Sequence, residues 1–233
     1  MALIEKLNAI GDAIRSKTGK EDKLTLEQMV TEIEGIEVGG SDELALSIIE
    51  RTATSISSNK VTQVGTHALS YYTSLKSVDL PECTIVKSNG FAESKALATV
   101  NLPKATTIET SSFRHCYKLA NVNIPNITSL GSSAFESCKI NKIDIGKVPQ
   151  IAANTFNACA NLETIILRLT SKICTLANVN AFNATPIKDG TGFIYVPQAL
   201  IEQYKSATNW INFSEQFRAI EDYPEICGGQ SNG

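Results

Sequence analysis

From Val61 to Leu167 the apolar positions of this chain return at an interval of about 22 residues, a period that belongs to solenoids. One column reads Val64, Val86, Ile108, Leu130 and Ile151. A second reads Leu69 (or Ala68), Phe91, Phe113, Phe135 and Phe156, and a third Leu75, Leu97, Leu119, Ile140 and Leu162. A fourth, Leu80, Leu102, Ile124, Ile145 and Leu167, is followed directly by Pro81, Pro103 and Pro125 in its first three members. Between the third and fourth columns, Val78, Val100, Val122, Ile143 and Ile165 alternate with mostly polar neighbours, which predicts a short strand with one face inward. Proline after the strand ends its pairing and turns the chain. The stretch around each phenylalanine, such as Ser132 to Cys138, predicts a single helical turn on the opposite side of the coil. No segment can bury its own columns. Stacked neighbours can, and each inward Leu, Ile or Phe then contributes about 1.5–3 kcal/mol.

The flanks read differently. Ala2 to Gly19 predicts an amphipathic helix, with Leu3, Leu7, Ile10 and Ile14 on one face and Gly19 as its stop. Leu26 to Glu34 predicts a second helix, opened by the Thr25/Gln28 capping-box pattern and carrying Met29, Val30 and Ile33 on its apolar face. A hairpin of two such helices buries too little to stand alone. Residues 1–40 are therefore expected to be an anchoring or oligomerisation element that joins another protein or a second copy of the chain. Glu43 to Lys60 reads as a degenerate first coil, as terminal repeats tend to be. The solenoid is expected over 41–196, with a longer last coil carrying an insertion around Asn178 to Gly192. Pro197 to Trp210 predicts a capping helix within a helical cap spanning 197–226, and 227–233 a disordered tail.

Charge and composition narrow the function classes. A net charge of −3 and a pI near 5.5, with Lys and Arg scattered, argue against a nucleic-acid-binding surface. No apolar run approaches the ~20 residues of a membrane span. The opening residues lack the basic start, solid apolar run and small-residue cleavage site of a secretory signal, so the chain is expected to be made and kept, or assembled, in the cytoplasm. None of the six cysteines forms a CxxC pair. Cys116, Cys138 and Cys159 share a column and are expected to pack as small buried groups, because a straight ladder does not converge as zinc ligands must. His67 and His115 sit at different places in their coils, neither beside a nucleophile or an obvious carboxylate pair, and Gly190-Thr191-Gly192 reads as a turn. No catalytic residue, metal ligand or cofactor site is expected. The outward strand residues form two ladders, Ser77, Thr99, Asn121, Lys142, Thr164 and Asp79, Asn101, Asn123, Asp144, Ile166. Their polar members are the candidate binding face for an extended glycan or peptide, with mutual hydrogen bonding among the rungs as the alternative.

The recurring Ala134-Phe135 to Cys138 motif, its variants Phe113 to Cys116 and Phe156 to Cys159, and the L-x-x-V-x-L/I-P strand resemble the BspA-like leucine-rich repeat family over about Ile48 to Val196. Tyr72 and Ser94 depart from the Cys position, and the fourth coil is one residue short. The resemblance implies an α/β leucine-rich-repeat solenoid and says little of function. The opening LIEKLNAIGDAIRSKTGK…LTLEQMVTEIEGI is similar to N-terminal segments of structural proteins of tailed phages and prophages of Gram-positive bacteria. The ending IYVPQALIEQYKSATNW is similar to the closing segment of leucine-rich repeat proteins in the same phages. This second resemblance implies a non-enzymatic virion protein whose N-terminal hairpin joins other virion proteins or itself as a homo-oligomer. The repeat domain would meet a host-surface glycan or protein. A bacterial BspA-like interaction or adhesion protein, cytoplasmic or at the cell surface, is the alternative.

Overall fold

The structure, a computed structural model, describes residues 50–227. The expected hairpin with Leu3, Leu7, Ile10, Ile14, Met29, Val30 and Ile33, most of the expected first coil, and residues 228–233 lie outside the described residues.

Each coil has three walls. The first is a three-residue strand: Ser55–Ser57, Ser77–Asp79, Thr99–Asn101 and Asn121–Asn123 pair in parallel in that order. The register steps by one coil, Ser77 opposite Thr99 and Thr99 opposite Asn121. The central residue points in; Val78 and Val100 are buried between polar neighbours. The second wall is a two-residue strand, Gln63–Val64, Ile85–Val86, Thr107–Ile108 and Ser129–Leu130, again parallel. Its inner residues are the first apolar column. The corner between the walls carries the fourth column and a further buried set, Cys83, Ala105, Ile127 and Val148, whose N–H groups close turns onto Leu80, Leu102, Ile124 and Ile145. Thr84, Thr106 and Thr128 begin the second wall, and each donates both its N–H and its Oγ1 hydroxyl to the carbonyl of the residue one coil before.

The third wall corrects the expectation of a helical turn. The stretch around each Phe is a run of turns whose backbone swings into the left-handed region twice per coil. One set is His67, Asn89, Ser111, Ser133 and Asn154; the other is Tyr71, Glu93, His115, Ser137 and Ala158. A left-handed non-glycine residue costs about 1–2 kcal/mol. The return is a third ladder: the N–H groups of Asn89, Phe91 and Glu93 donate to the carbonyls of Thr110, Ser112 and Arg114 in the next coil. A helix would have spent those N–H groups along its own axis. Each coil thus holds two short strands and a laddered turn run, in place of one strand and a helical turn.

The interior is filled by the expected columns. Phe91, Phe113, Phe135, Phe156 and Phe182 are fully buried and stack almost parallel, with neighbouring centroids 5.1, 5.3, 5.8 and 5.9 Å apart. Beside them, the thiols of Cys116, Cys138 and Cys159 donate to the carbonyls of Phe91, Phe113 and Phe135. Ser94 occupies the same column and does the same toward Leu69 at 2.6 Å. Burial pushes the Cys116 and Cys159 thiols up to about 12, so they persist as neutral donors.

One interface departs from the pattern. Lys142–Asp144, Thr164–Ile166, Phe193–Val196 and Phe217–Ala219 form a separate parallel sheet, and Gln150–Ile151 pairs only with Thr175–Leu176. Both strand walls are therefore interrupted between the coil of Asn121 and that of Lys142. Two sequence changes account for this. The third-wall corner is one residue short between Cys138 and Ile140, which removes the turn that Leu97, Leu119 and Leu162 close onto Ser94, Cys116 and Cys159. Pro149 stands where Thr84, Thr106 and Thr128 stood, and it has no N–H to give to Thr128. The third wall is not interrupted: Ser133, Phe135 and Ser137 donate to Ala153, Thr155 and Asn157. The result is a seam, open on two walls and closed on the third.

Beyond the seam the last coil carries the insertion. A 3-10 turn at Val179–Phe182 supplies the fifth stacked ring, and a short helix at Pro186–Asp189 is capped by Thr185 and ended by Gly190 at φ 85°. The helix expected over Pro197 to Trp210 is α-helical only at Ile201–Ser206, after a 3-10 turn at Gln198–Leu200. Trp210 and Phe213 pack on Phe182, and the Trp210 Nε1–H donates to the Cys174 carbonyl at 2.6 Å. Cys227 closes a last helical turn, Pro224–Cys227.

Candidate functional site

The candidate binding face is the outer surface of the first wall. Strand alternation puts its members outward, and the register aligns Ser77, Thr99 and Asn121 in one row and Asp79, Asn101 and Asn123 in the next. The second row is bonded to itself. Asn101 Nδ2 donates to Asp79 Oδ1 at 2.7 Å, and Asn123 Nδ2 donates to Asn101 Oδ1 at 2.6 Å. These amides are partly spent inside the ladder, while the first row keeps its hydroxyls and the Asn121 amide toward solvent.

The five-rung ladders read from the sequence divide at the seam. Lys142 and Thr164 align in the second sheet, where the next rung is Phe193. Asp144 does not continue the Asn row. It accepts from the N–H of Gly146 at 2.9 Å and from Nε of Arg168 at 2.6 Å. Ile166 and Tyr195 are covered by Ile220 and Ile226, with Phe193 and Tyr223 packed alongside, and the Arg218 guanidinium lies 4.2 Å from the Phe193 ring centroid. The outward face is thus polar and open over the first coils and closed by side chains over the last.

Two features escape a linear reading. His115 does have a carboxylate partner: its Nδ1 meets Glu93 Oε1, one coil earlier. The ring also stacks on the half-exposed Tyr117, with Lys95 close to both Tyr117 and Glu93. The hydrogen bond from His115 holds the Glu93 carboxyl below its usual range. Aligning the repeats would have exposed the pair, because the two residues lie 22 apart. The other feature is a cleft of about 300 Å³ at the seam, lined by Pro125, Asn126, Ile127, Thr128, Gly146, Lys147 and Arg168. Among the described residues no group of three or more His, Cys, Asp or Glu is placed to hold a metal. No described helix is long and apolar enough to cross a membrane.

Parallel strands at one-coil register, a stacked aromatic spine and hydrogen-bonded side-chain ladders define a leucine-rich-repeat solenoid. The family model described as the BspA type leucine rich repeat region, in 6 copies, matches residues 4–120, 50–163 and 84–207, and the chain belongs to that family. Among solved structures, a leucine-rich repeat protein from Bacteroides ovatus ATCC 8483 is similar at 20% identity and a TM-score of 0.51, over 72% of this chain and 42% of that one. A leucine rich cell surface protein from Faecalibacterium prausnitzii A2-165 is similar at 19% identity and a TM-score of 0.41, over 62% of this chain and 55% of that one. The matched part therefore spans about half the length of these neighbours. The comparison with curated proteins yields no match.

Proposed function

We propose that the chain is a non-catalytic interaction module that displays its solenoid on the particle of a tailed phage or prophage, where it meets a host surface or neighbouring subunits. The observation that supports the interaction role is the first wall: aligned polar rungs, Ser77, Thr99 and Asn121 beside Asp79, Asn101 and Asn123, held by a buried apolar core. Repeat arrays use such extended surfaces for binding. The particle setting rests on the resemblance of both termini to phage structural proteins, and the apolar residues of 1–40 serve there as the anchor or homo-oligomer contact. The experiment is deletion of residues 1–40. The remaining chain is expected to keep its far-ultraviolet circular dichroism per residue and its cooperative melt while no longer entering particles, scored by immunoblot of purified virions. Normal incorporation of the truncated chain would remove the anchor role. A gene neighbourhood without capsid or tail genes would favour a bacterial interaction protein instead.

A further inference from the structure

We propose that the cleft at the seam binds an acidic sugar unit of an extended polysaccharide, with Lys147 and Arg168 holding its carboxylate. This site lies apart from the outward strand rows and does not depend on what carries the chain. It exists because both strand walls stop at the same interface, leaving a cleft of about 300 Å³, the lower end of the range for ligand pockets. Gly146 shapes its floor: it replaces the proline of earlier coils, adopts φ +56°, and a Cβ there would stand 3.1 Å from the Pro125 carbonyl oxygen.

The lining has three chemistries. The first is positive charge, from Lys147, which is unpaired among the described residues, and from Arg168, whose charge is shared with Asp144. In the column of Lys147, Glu82 and Lys104 pair at 2.8 Å and Asn126 donates to the Pro103 carbonyl, whereas Lys147 is exposed and makes no ion pair among the described residues. Arg168 is fixed by Asp144 through Nε and by the Ile226 carbonyl through one Nη, so its planar fork is oriented before any ligand arrives. Asp144 is not part of the lining. The second is acceptor capacity: the Thr128 carbonyl faces an interface where Pro149 has no N–H to offer, and Asn126 Oδ1 accepts no hydrogen bond among the described residues while its Nδ2 is engaged. The third is an apolar wall from Pro125. A carboxylate for the cations, hydroxyls for the acceptors and a ring C–H face for the proline are the groups of a uronic acid. An acidic peptide offers carboxylates without the hydroxyls.

The test titrates the full chain with trigalacturonate, followed by calorimetry and by backbone-amide NMR. Saturable binding is expected, with shifts concentrated at Asn126–Thr128, Gly146–Lys147 and Arg168. Lys147→Glu should weaken it by at least about tenfold, or about 1.4 kcal/mol, and Lys104→Glu, in the same column two coils away, by less than about twofold. The proposal is overturned if binding does not saturate by about 10 mM, if the shifts fall on another face, or if Lys147→Glu binds normally. Equal affinity for hexaglutamate would overturn it in favour of an acidic peptide, and equal affinity for citrate would reduce the cleft to an unspecific anion site.

Discussion

Phe135→Ala should split the solenoid's unfolding into two steps, and the same truncation at Phe113 should not. Both rings are fully buried, and each stacks on two neighbours. Either truncation costs about 3–5 kcal/mol. The difference lies in what remains between the coils. Around Phe113 the strand walls are joined by N–H donors at Leu102, Ala120, Asn121, Thr128, Ser129 and Gly131. Equivalent bonds are missing where Phe135 meets Phe156; of the backbone N–H groups only those of Ser133, Phe135 and Ser137 still donate across that interface, beside the side chains of Thr155, Asn157 and Cys159. At about 0.5–1.5 kcal/mol net per bond, losing six leaves the seam weaker by about 3–9 kcal/mol than its neighbours. Stability in a repeat array is a sum of intrinsic and nearest-neighbour terms, so weakening an already weak interface uncouples the blocks on either side. The chain has one tryptophan, Trp210, buried in the C-terminal block, so its fluorescence reports that block while circular dichroism reports both. Urea melts of Phe135→Ala should give separate midpoints by the two probes, and those of Phe113→Ala one shared, lowered midpoint. Coincident midpoints in Phe135→Ala, or an equal split in Phe113→Ala, would show that the seam is not a weak joint.

Two further outcomes follow from local geometry. Gly146→Ala places a side chain on a left-handed residue and against the Pro125 carbonyl; a cost of about 1–2 kcal/mol lowers Tm by about 2–8 °C in a chain of this size, and an unchanged calorimetric Tm would contradict the strain. Because the folded Glu93 carboxyl titrates below its unfolded value, the stability it lends is complete above the ordinary carboxylate range and fades as pH falls through that lowered value. His115→Ala should raise the Glu93 titration midpoint in side-chain carboxyl NMR, and a midpoint that stays put would assign the depression to Lys95 instead.

The stacked coils were legible because large apolar residues recur without interruption: Phe91, Phe113, Phe135 and Phe156 can share one buried row only if the chain winds. The second wall was not, since two residues such as Ile85 and Val86 are too few to show alternation. Left-handed turns leave no residue signature when Asn89, Ser111, Glu93 and His115 all occupy them for the sake of a backbone ladder. The outward rows were legible as far as Asn121 and Asn123. Past them, one missing residue near Ile140 and one proline at position 149 reset the pairing. The shorter coil is visible in the sequence, but a ladder is needed to show what it breaks.

The thiol column has a consequence for how such a protein can change length. From Phe91 to Cys138 each coil offers its successor the same sockets: a phenylalanine carbonyl awaiting a Cys donor, a threonine carbonyl awaiting the next threonine, and a ring awaiting another ring. A duplicated segment spliced in ahead of Asn121 would meet the contacts it left behind. It would extend the reach of the domain by about 4.8 Å per added turn and leave both ends unchanged. Growth by copying is built into the backbone of these coils, and the seam marks an interface where a copied turn would find the pattern altered.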